Sequence, residues 1–201
     1  MKKIYLDNAA TTALREEVVA EMTAVLRDNY GNPSSSHSFG RSAKTVLESA
    51  RKNIAKQVNA FASEIIFTSS ATEATNWVLR SAVKDLGIKR IITSKIEHHA
   101  TLHTVMVLEK EYAIHVEYIP ILSDGTLDIL KLEQMLEQDM PTLVSLMHVN
   151  NEIGTLINLD SVAAICQKYN AIFHCDTVQS IGKVTIDLQK IPLDFLSILL
   201  L

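Results

Sequence analysis

The 201-residue chain predicts an α/β fold, a mostly parallel sheet covered by helices on both faces. Three observations predict it. From residue 64 onward, short apolar runs alternate with longer stretches of helical periodicity, the rhythm of strand–helix–strand units. Most of the apolar runs end in polar residues, as a site gathered at the carboxyl edge of a parallel sheet requires. The clearest run, Ala171-Ile172-Phe173-His174-Cys175-Asp176, ends on a carboxylate and is followed three residues later by an amide, Gln179. A buried strand has little packing use for an acid at its end.

Residues 4–7 read as a short extended lead-in, followed by the small-residue stretch Asn8 to Thr12. Leu14, Val18, Val19, Met22, Val25 and Leu26 then recur at helical spacing, with Glu16 and Glu17 in the first turn, where negative charge suits the helix dipole. Asn29 to His37 is a loop by composition. Phe39, Ala43, Val46, Leu47, Ala50, Ile54 and Val58 mark a second helix. The alternation then begins with a strand at Glu64–Thr68 and a helix at Thr72–Leu86, stopped by Gly87. It continues as strand Arg90–Ser94, helix His99–Tyr112, strand Ile114–Pro120, a turn at Ser123–Thr126 and helix Asp128–Gln138. Strand Thr142–Val149, helix Asn158–Tyr169, strand Ala171–Asp176 and a last strand from Asp194 to about Leu200 complete it. The chain thus divides into an N-terminal arm with helices, 1–60, and a main α/β domain, 61–201.

Apolar content of 47% with 21% charged residues is ordinary globular composition, and a chain of this length can bury a core without disulfides. The net charge of −4 provides no footprint for nucleic acid or an anionic membrane. The start Met1-Lys2-Lys3-Ile4-Tyr5-Leu6-Asp7 breaks into charge too soon for a signal peptide. No apolar run approaches the roughly 20 residues of a membrane helix. Cys166 and Cys175 fall in no metal-ligand spacing and suggest buried thiols in a reducing compartment. A soluble, cytoplasmic protein is expected.

Four strand ends carry the chemistry. Thr68-Ser69-Ser70-Ala71-Thr72-Glu73 joins a strand to a helix, and its amides and small hydroxyl residues can hold a phosphate; a plain helix cap accounts for the same residues. In Lys95-Ile96-Glu97-His98-His99, His98 can stack on a flat ligand or lie in an exposed loop, while the spacing does not converge on a metal ion. Met147-His148-Val149-Asn150-Asn151-Glu152-Ile153-Gly154 crowds amides, an imidazole and an acid where a turn needs only one such signal. Asp176 taken alone reads as a cap. Beside the other three edges it reads as the partner of a cationic ring nitrogen, with Gln179 donating to a ring oxygen. Phosphate cup, stacking imidazole, amide donors and ring-nitrogen acid together specify pyridoxal 5′-phosphate, whose protonated ring is an electron sink. A dinucleotide site would need a Gly-x-Gly-x-x-Gly after a strand, which is absent, as is a P-loop.

Six segments carry a resemblance to a known family. They are Tyr5-Leu6-Asp7-Asn8-Ala9-Ala10-Thr11-Thr12, Gly31-Asn32-Pro33-Ser34-Ser35, Phe67 to Glu73, Thr93 to His98, Met147 to Gly154 and His174 to Ser180. In order and spacing, from residue 4 to about residue 197, the chain resembles the N-terminal half of a cysteine desulfurase of the nitrogen-fixation and iron–sulfur-assembly type, in the class V aminotransferase fold group. The resemblance implies the large domain of an aspartate-aminotransferase-like, pyridoxal-phosphate-dependent transferase with its C-terminal small domain missing. It implies that the Ala71 and Thr72 region holds the cofactor phosphate and that His98 stacks on the pyridine ring. Asp176 would pair with the ring nitrogen, Gln179 with the ring hydroxyl oxygen, and Asn151 would lie beside that oxygen and the substrate carboxylate. The implied reaction removes sulfur from L-cysteine, leaving L-alanine and a persulfide on an enzyme cysteine. An iron–sulfur scaffold or another protein would accept the sulfur, and the implied assembly is a homodimer with the site near its interface.

The chain also departs from that family. Ser70 stands where the family has Gly; a positive φ there would cost on the order of 1 kcal/mol, whereas the hydroxyl would offer a phosphate contact. After Ser197 the family continues to the lysine that holds the cofactor covalently. Here Ile198-Leu199-Leu200-Leu201 follows and stops one position short, with Leu199 in place of a phosphate-contacting Ser and Leu201 in place of a His. Lys183 and Lys190 precede the last strand, Cys166 and Cys175 read as core thiols, and the substrate-binding Arg and mobile-loop Cys are missing. The expectation is a truncated desulfurase without turnover of its own, whose last strand is an exposed edge. A half-enzyme completed by a separate chain, a non-enzymatic remnant binding a homologous subunit and a fragment of a selenocysteine lyase-like enzyme stand beside it.

Overall fold

The structure, a computed structural model, describes residues 3–199. They fall into two compact units, one reaching to Phe67 and one from Thr68 onward.

The first unit contains α1 (Glu16–Asp28) and α2 (Ser38–Gln57). α2 buries Gly40, Ala43 and Ala55, whereas α1 buries none of its residues and leaves Val19, Met22 and Leu26 exposed. A Cβ at Gly40 would overlap the backbone carbonyls of Ser35 and Asn32, so only glycine fits this approach. α2 closes with Asn59 at φ 56° and the Ala60 N–H donated to the Ala55 carbonyl at 2.9 Å. The strand expected at Glu64–Thr68 does not form. Ala62–Glu64 is a 3-10 turn in which Glu64 Oε2 accepts the Phe61 N–H at 2.7 Å, and the extended residues after it join no sheet among the described residues. An apolar extended run becomes a strand only when a neighbour takes its N–H and C=O groups.

The second unit comprises α3 (Ala71–Lys84), β1 (Arg90–Ser94), α4 (His99–Tyr112), β2 (His115–Ile119) and α5 (Ile129–Leu136). β3 (Thr142–Met147), α6 (Leu159–Lys168), β4 (Ile172–Asp176) and β5 (Phe195–Ser197) follow. All pairings are parallel, in the order β2-β1-β3-β4-β5. Side chains alternate between two covered faces. Ile91 and Leu143 pack with Leu79, Val105 and Leu108 of α3 and α4, while Ile92, Val144, Leu146 and Phe173 pack with Leu132 and Val162 of α5 and α6. Ser70, Asp128 and Asn158 cap helices by accepting the N–H of Glu73, Lys131 and Ser161. Gly87, at φ 71°, lets the Ile88 N–H return to the Ala82 carbonyl at 3.1 Å after α3.

The amino-terminal rim of the sheet is fastened by Arg90, which is 1% exposed. Its guanidinium donates to Thr142 Oγ1 (2.9 Å), the Met135 carbonyl (2.9 Å), Gln138 Oε1 (3.3 Å) and the Gln138 carbonyl (3.2 Å), and lies 3.7 Å from Glu117. At the other rim, β1 and β3 are neighbours whose onward connections leave in opposite directions. Open α/β sheets place ligands beyond the carboxyl ends of strands at such a switch point. No helix among the described residues is long and apolar enough to cross a membrane.

Candidate functional site

Asp176 ends β4 and is 5% exposed. Its Oδ1 accepts the Val178 N–H at 3.0 Å, and its carbonyl accepts the His148 N–H at 2.9 Å, which carries the β3–β4 ladder one residue further. Burial raises the carboxyl above the ordinary range, opposed by the Val178 amide and by the imidazole of His98. The structure therefore brings Asp176 and His98 within electrostatic reach across the end of β3. His98 is exposed and caps α4, its Nδ1 accepting the Ala100 N–H at 3.1 Å. The neutral ring then carries its proton on Nε2.

Ala71 and Thr72 open α3, where the first amides have no intrahelical acceptor. Ser70 Oγ takes the Glu73 N–H at 3.2 Å, and the Glu73 carboxylate folds back onto the Ser69 N–H (2.5 Å) and hydroxyl (2.7 Å). The amides of Ala71 and Thr72 are those left for an anion. Ser70 has φ −166°, extended backbone that any residue adopts, so the conformational cost expected for replacing Gly does not arise; its hydroxyl is a cap. Gln179 is half-buried after β4.

Asn151 is half-buried, with its Nδ2 donating to Glu152 Oε1 at 2.7 Å. Its neighbour Asn150, 6% exposed, organises the loop. Asn150 Nδ2 donates to the Ile96 carbonyl at 2.7 Å, and its Oδ1 accepts the N–H groups of Glu152 and Ile153 at 2.9 and 3.0 Å. These bonds tie the loop after β3 to the loop after β1. Gly154, at φ 72°, closes the turn onto the Asn150 carbonyl at 3.0 Å.

Sequence reasoning missed Glu97. It is 7% exposed, beyond the end of β1, and its Oε1 accepts the Ser94 hydroxyl at 2.6 Å. Oε2 has no hydrogen-bond partner. Burial pushes this carboxyl up to about 8 despite the Ser94 hydroxyl and the Met147 backbone, and the charge of Asp176 adds to the rise. Ser94, Ile96, Met147, Asn150 and Leu156 surround a small cavity beside it. The one sequence signal was an acid next to His98 and three residues from Ser94, which does not distinguish a buried acid from a solvated one.

A second polar chain runs through the sheet. Thr75 of α3 donates to Ser197 Oγ at 3.0 Å, Ser197 Oγ lies 2.9 Å from His174 Nε2, and His174 Nδ1 lies 2.8 Å from Ser145 Oγ. All four residues are at most 1% exposed. Burial lowers His174 to about 4, so the ring is neutral and links donors to acceptors in one direction. The chain couples β3, β4 and β5 to the helix that begins at Ala71. Cys166 and Cys175 are 1% and 0% exposed, and burial raises both thiols, Cys166 to about 12. Thiols held in that form are poor nucleophiles and poor sulfur acceptors.

Residues 4–198 match the Aminotransferase class-V family. The cysteine desulfurase IscS of Dictyoglomus turgidum is 42% identical over 199 residues, which cover 98% of this chain and 50% of that protein. Among solved structures, a NifS-like protein superposes with a TM-score of 0.92 at 38% identity, covering 98% of this chain and 55% of that one. SspA, solved in complex with cysteine, superposes with a TM-score of 0.90 at 32% identity, covering 96% and 56%. The chain spans about half the length of the curated relatives it matches. With a parallel sheet whose carboxyl rim carries a buried acid and an imidazole, and with cysteine desulfurases as its homologues along nearly its whole length, the chain belongs to the aminotransferase class-V family.

Proposed function

We propose that residues 71–179 form the cofactor-recognising part of a pyridoxal 5′-phosphate-dependent cysteine desulfurase. The observation that carries this reading is Asp176, a buried acid at the end of β4 that senses the exposed ring of His98. The donor set fits the group. The first-turn amides of Ala71 and Thr72 suit a phosphate, His98 suits stacking on the ring, and Asp176 suits the ring nitrogen. Gln179 and Asn151 suit the ring hydroxyl oxygen, Asn151 also lying beside the substrate carboxylate. When bound, the cofactor supplies a protonated ring that draws electrons from the substrate carbon.

The protein's part is to hold and orient. An ionised Asp176 keeps the ring nitrogen protonated, because a close opposite charge favours the charged form. The Val178 N–H on its Oδ1 and the His148 N–H on its carbonyl fix where that charge sits. The Ala100 N–H on His98 Nδ1 fixes the imidazole at one edge. In this reading the substrate is L-cysteine, the sulfur passes to an iron–sulfur scaffold or another acceptor, and the working assembly is a cytoplasmic homodimer. Both thiols of the chain are buried, and Leu199 stands where the resemblance expects a phosphate-contacting Ser. The 201-residue polypeptide is therefore proposed to bind cofactor noncovalently without turning over L-cysteine.

The test is a titration of this polypeptide with pyridoxal 5′-phosphate, followed by absorbance and Trp77 quenching, with alanine and sulfide assayed after L-cysteine is added. Saturable binding is expected, weakened about tenfold or more in Asp176→Asn as a charge-assisted bond is lost. Absent binding, or equal binding by the two proteins, overturns the cofactor reading. Alanine above the protein-free blank overturns the absence of turnover.

A further inference from the structure

Glu97 has no part in that reading, yet it is buried at the point where the strand order reverses. Glu97 and Asp176 are 7% and 5% exposed. Glu97 lies beyond β1 and Asp176 ends β4, on either side of β3. Met147 of β3 is in register with Asp176, and its backbone also interacts with the Glu97 carboxyl. Neither acid pairs with a lysine or arginine among the described residues. The groups around them are His98 at the start of α4, His148 after β3, the Cys175 thiol in β4 and the Ser94 hydroxyl in β1. His148 Nδ1 is engaged with Ser180 Oγ at 2.9 Å, and burial lowers this imidazole, which favours its neutral form. Among the described residues no buried lysine or arginine pairs with either acid to offset a second carboxylate. Glu97 Oε2, moreover, lacks any hydrogen-bond partner at the small cavity formed with Ile96, Met147 and Asn150. The charge of Asp176 raises Glu97, and two buried acids at one rim do not both ionise readily.

We propose that Glu97 and Asp176 hold one proton between them at neutral pH, seated on Glu97, and that Glu97 is thereby a positioning residue that reserves the single negative charge of this rim for the ring nitrogen of a bound cofactor. The ligand rests on the pyridoxal-phosphate reading; the proton arrangement in the free protein does not. At neutral pH a cationic ring meets one charge, on Asp176, and no proton has to leave the pair on binding. As pH rises past about 8, Glu97 releases its proton to solvent and a second charge appears beside the first. Glu97→Gln, neutral at every pH, retains the low-pH arrangement throughout.

Two measurements test this. In the free protein, carbon-13 NMR of the Asp176 carboxyl is followed against pH. The wild-type resonance is expected to show its own step and a second one above pH 7, when Glu97 ionises; Glu97→Gln loses the second step. Ser94→Ala, which removes the donor to Oε1, moves the second step to higher pH. A single identical step in wild type and Glu97→Gln overturns the shared proton. The second measurement uses pyridoxine 5′-phosphate, which has no aldehyde to react with surface lysines. Wild type and Glu97→Gln are expected to bind it alike at pH 6.5 and to diverge several-fold by pH 9, the wild type binding tighter through its second charge. An affinity ratio that stays the same at both pH values overturns the positioning role. Binding by neither protein overturns that role together with the cofactor reading, while the NMR titration still decides where the proton sits.

Discussion

Replacing Glu97 by Gln should flatten the stability of the second unit between pH 6.5 and 8. The unfolded chain releases the Glu97 proton near 4.5, the folded protein near 8. Between these values the fold holds a proton that the unfolded chain has lost. Stability therefore falls as pH rises, by up to about 1.4 kcal/mol per pH unit, and levels off above pH 8. The full interval corresponds to about 4–5 kcal/mol, but its acid half is masked. His174, held near 4 in the fold against 6.5 in the unfolded chain, makes stability rise with pH up to about 6.5. His148, also lowered by burial, adds to that rise, whereas Asp176, raised from 3.8, makes stability fall with pH as Glu97 does. The thiols, raised from an ordinary value of 9, matter only at more alkaline pH. Glu97 thus stands nearly alone from pH 6.5 to 8, where the wild type should lose about 2 kcal/mol and the Gln variant almost none. Urea unfolding at constant ionic strength reads this through Trp77, the single tryptophan of the chain and part of α3. Parallel profiles for the two proteins across that window would refute the argument that Glu97 folds with its proton on.

Two further outcomes use the same material. His174→Phe strands the buried hydroxyls of Ser145 and Ser197 without a ring nitrogen, and about 2–4 kcal/mol of stability should be lost. His174→Gln, which can still donate and accept, should recover part of that loss in the same urea assay; equal losses would show that packing rather than hydrogen bonding is at stake. Neither Cys166 nor Cys175 should react with a thiol-specific disulfide reagent at pH 8 while the protein is folded, and both should react quickly in concentrated urea. Rapid labelling of native protein would contradict their burial.

Most of the fold could be read from local causes. Gly87 marks the stop after α3, Asp128 and Asn158 cap the helices that follow them, and the apolar runs from Arg90 to Asp176 give four of the five strands. The strand expected at Glu64–Thr68 failed because strand formation depends on a neighbour that no short stretch of sequence contains. At the candidate site, the positions of Asp176 at the end of β4 and His98 in the loop after β1 were legible, since a carboxylate closing an apolar strand and an imidazole in the loop beyond one have few packing uses. Glu97 was not, because its burial arises only when Asn150 draws the loop after β3 onto the Ile96 carbonyl. The same bond separates the adjacent amides: Asn150 holds the loop, which leaves Asn151 the more accessible of the two. The chain through His174 was beyond any local pattern, since Thr75 and Ser197 are 122 positions apart.

Arg90 gives the sheet a fully buried cation, but at the rim away from the acids. Four residues of β1, Ile91 to Ser94, separate it from the loop carrying Glu97, and the five steps to that loop span about 17 Å at roughly 3.3 Å per residue. Its charge is already spent on Glu117 and on the carbonyls of Met135 and Gln138. Coulomb attraction weakens with distance, so little of it reaches the far end of the strand. The sheet thus keeps its buried guanidinium, already paired with Glu117, at the fastened end, and leaves two buried acids at the open end without a lysine or arginine partner among the described residues. Charge balance at the open end therefore has to come from outside the strands, as a proton drawn from water or a positively charged guest, and the occupancy of that rim will follow solvent pH more closely than the stiffness of the sheet would suggest.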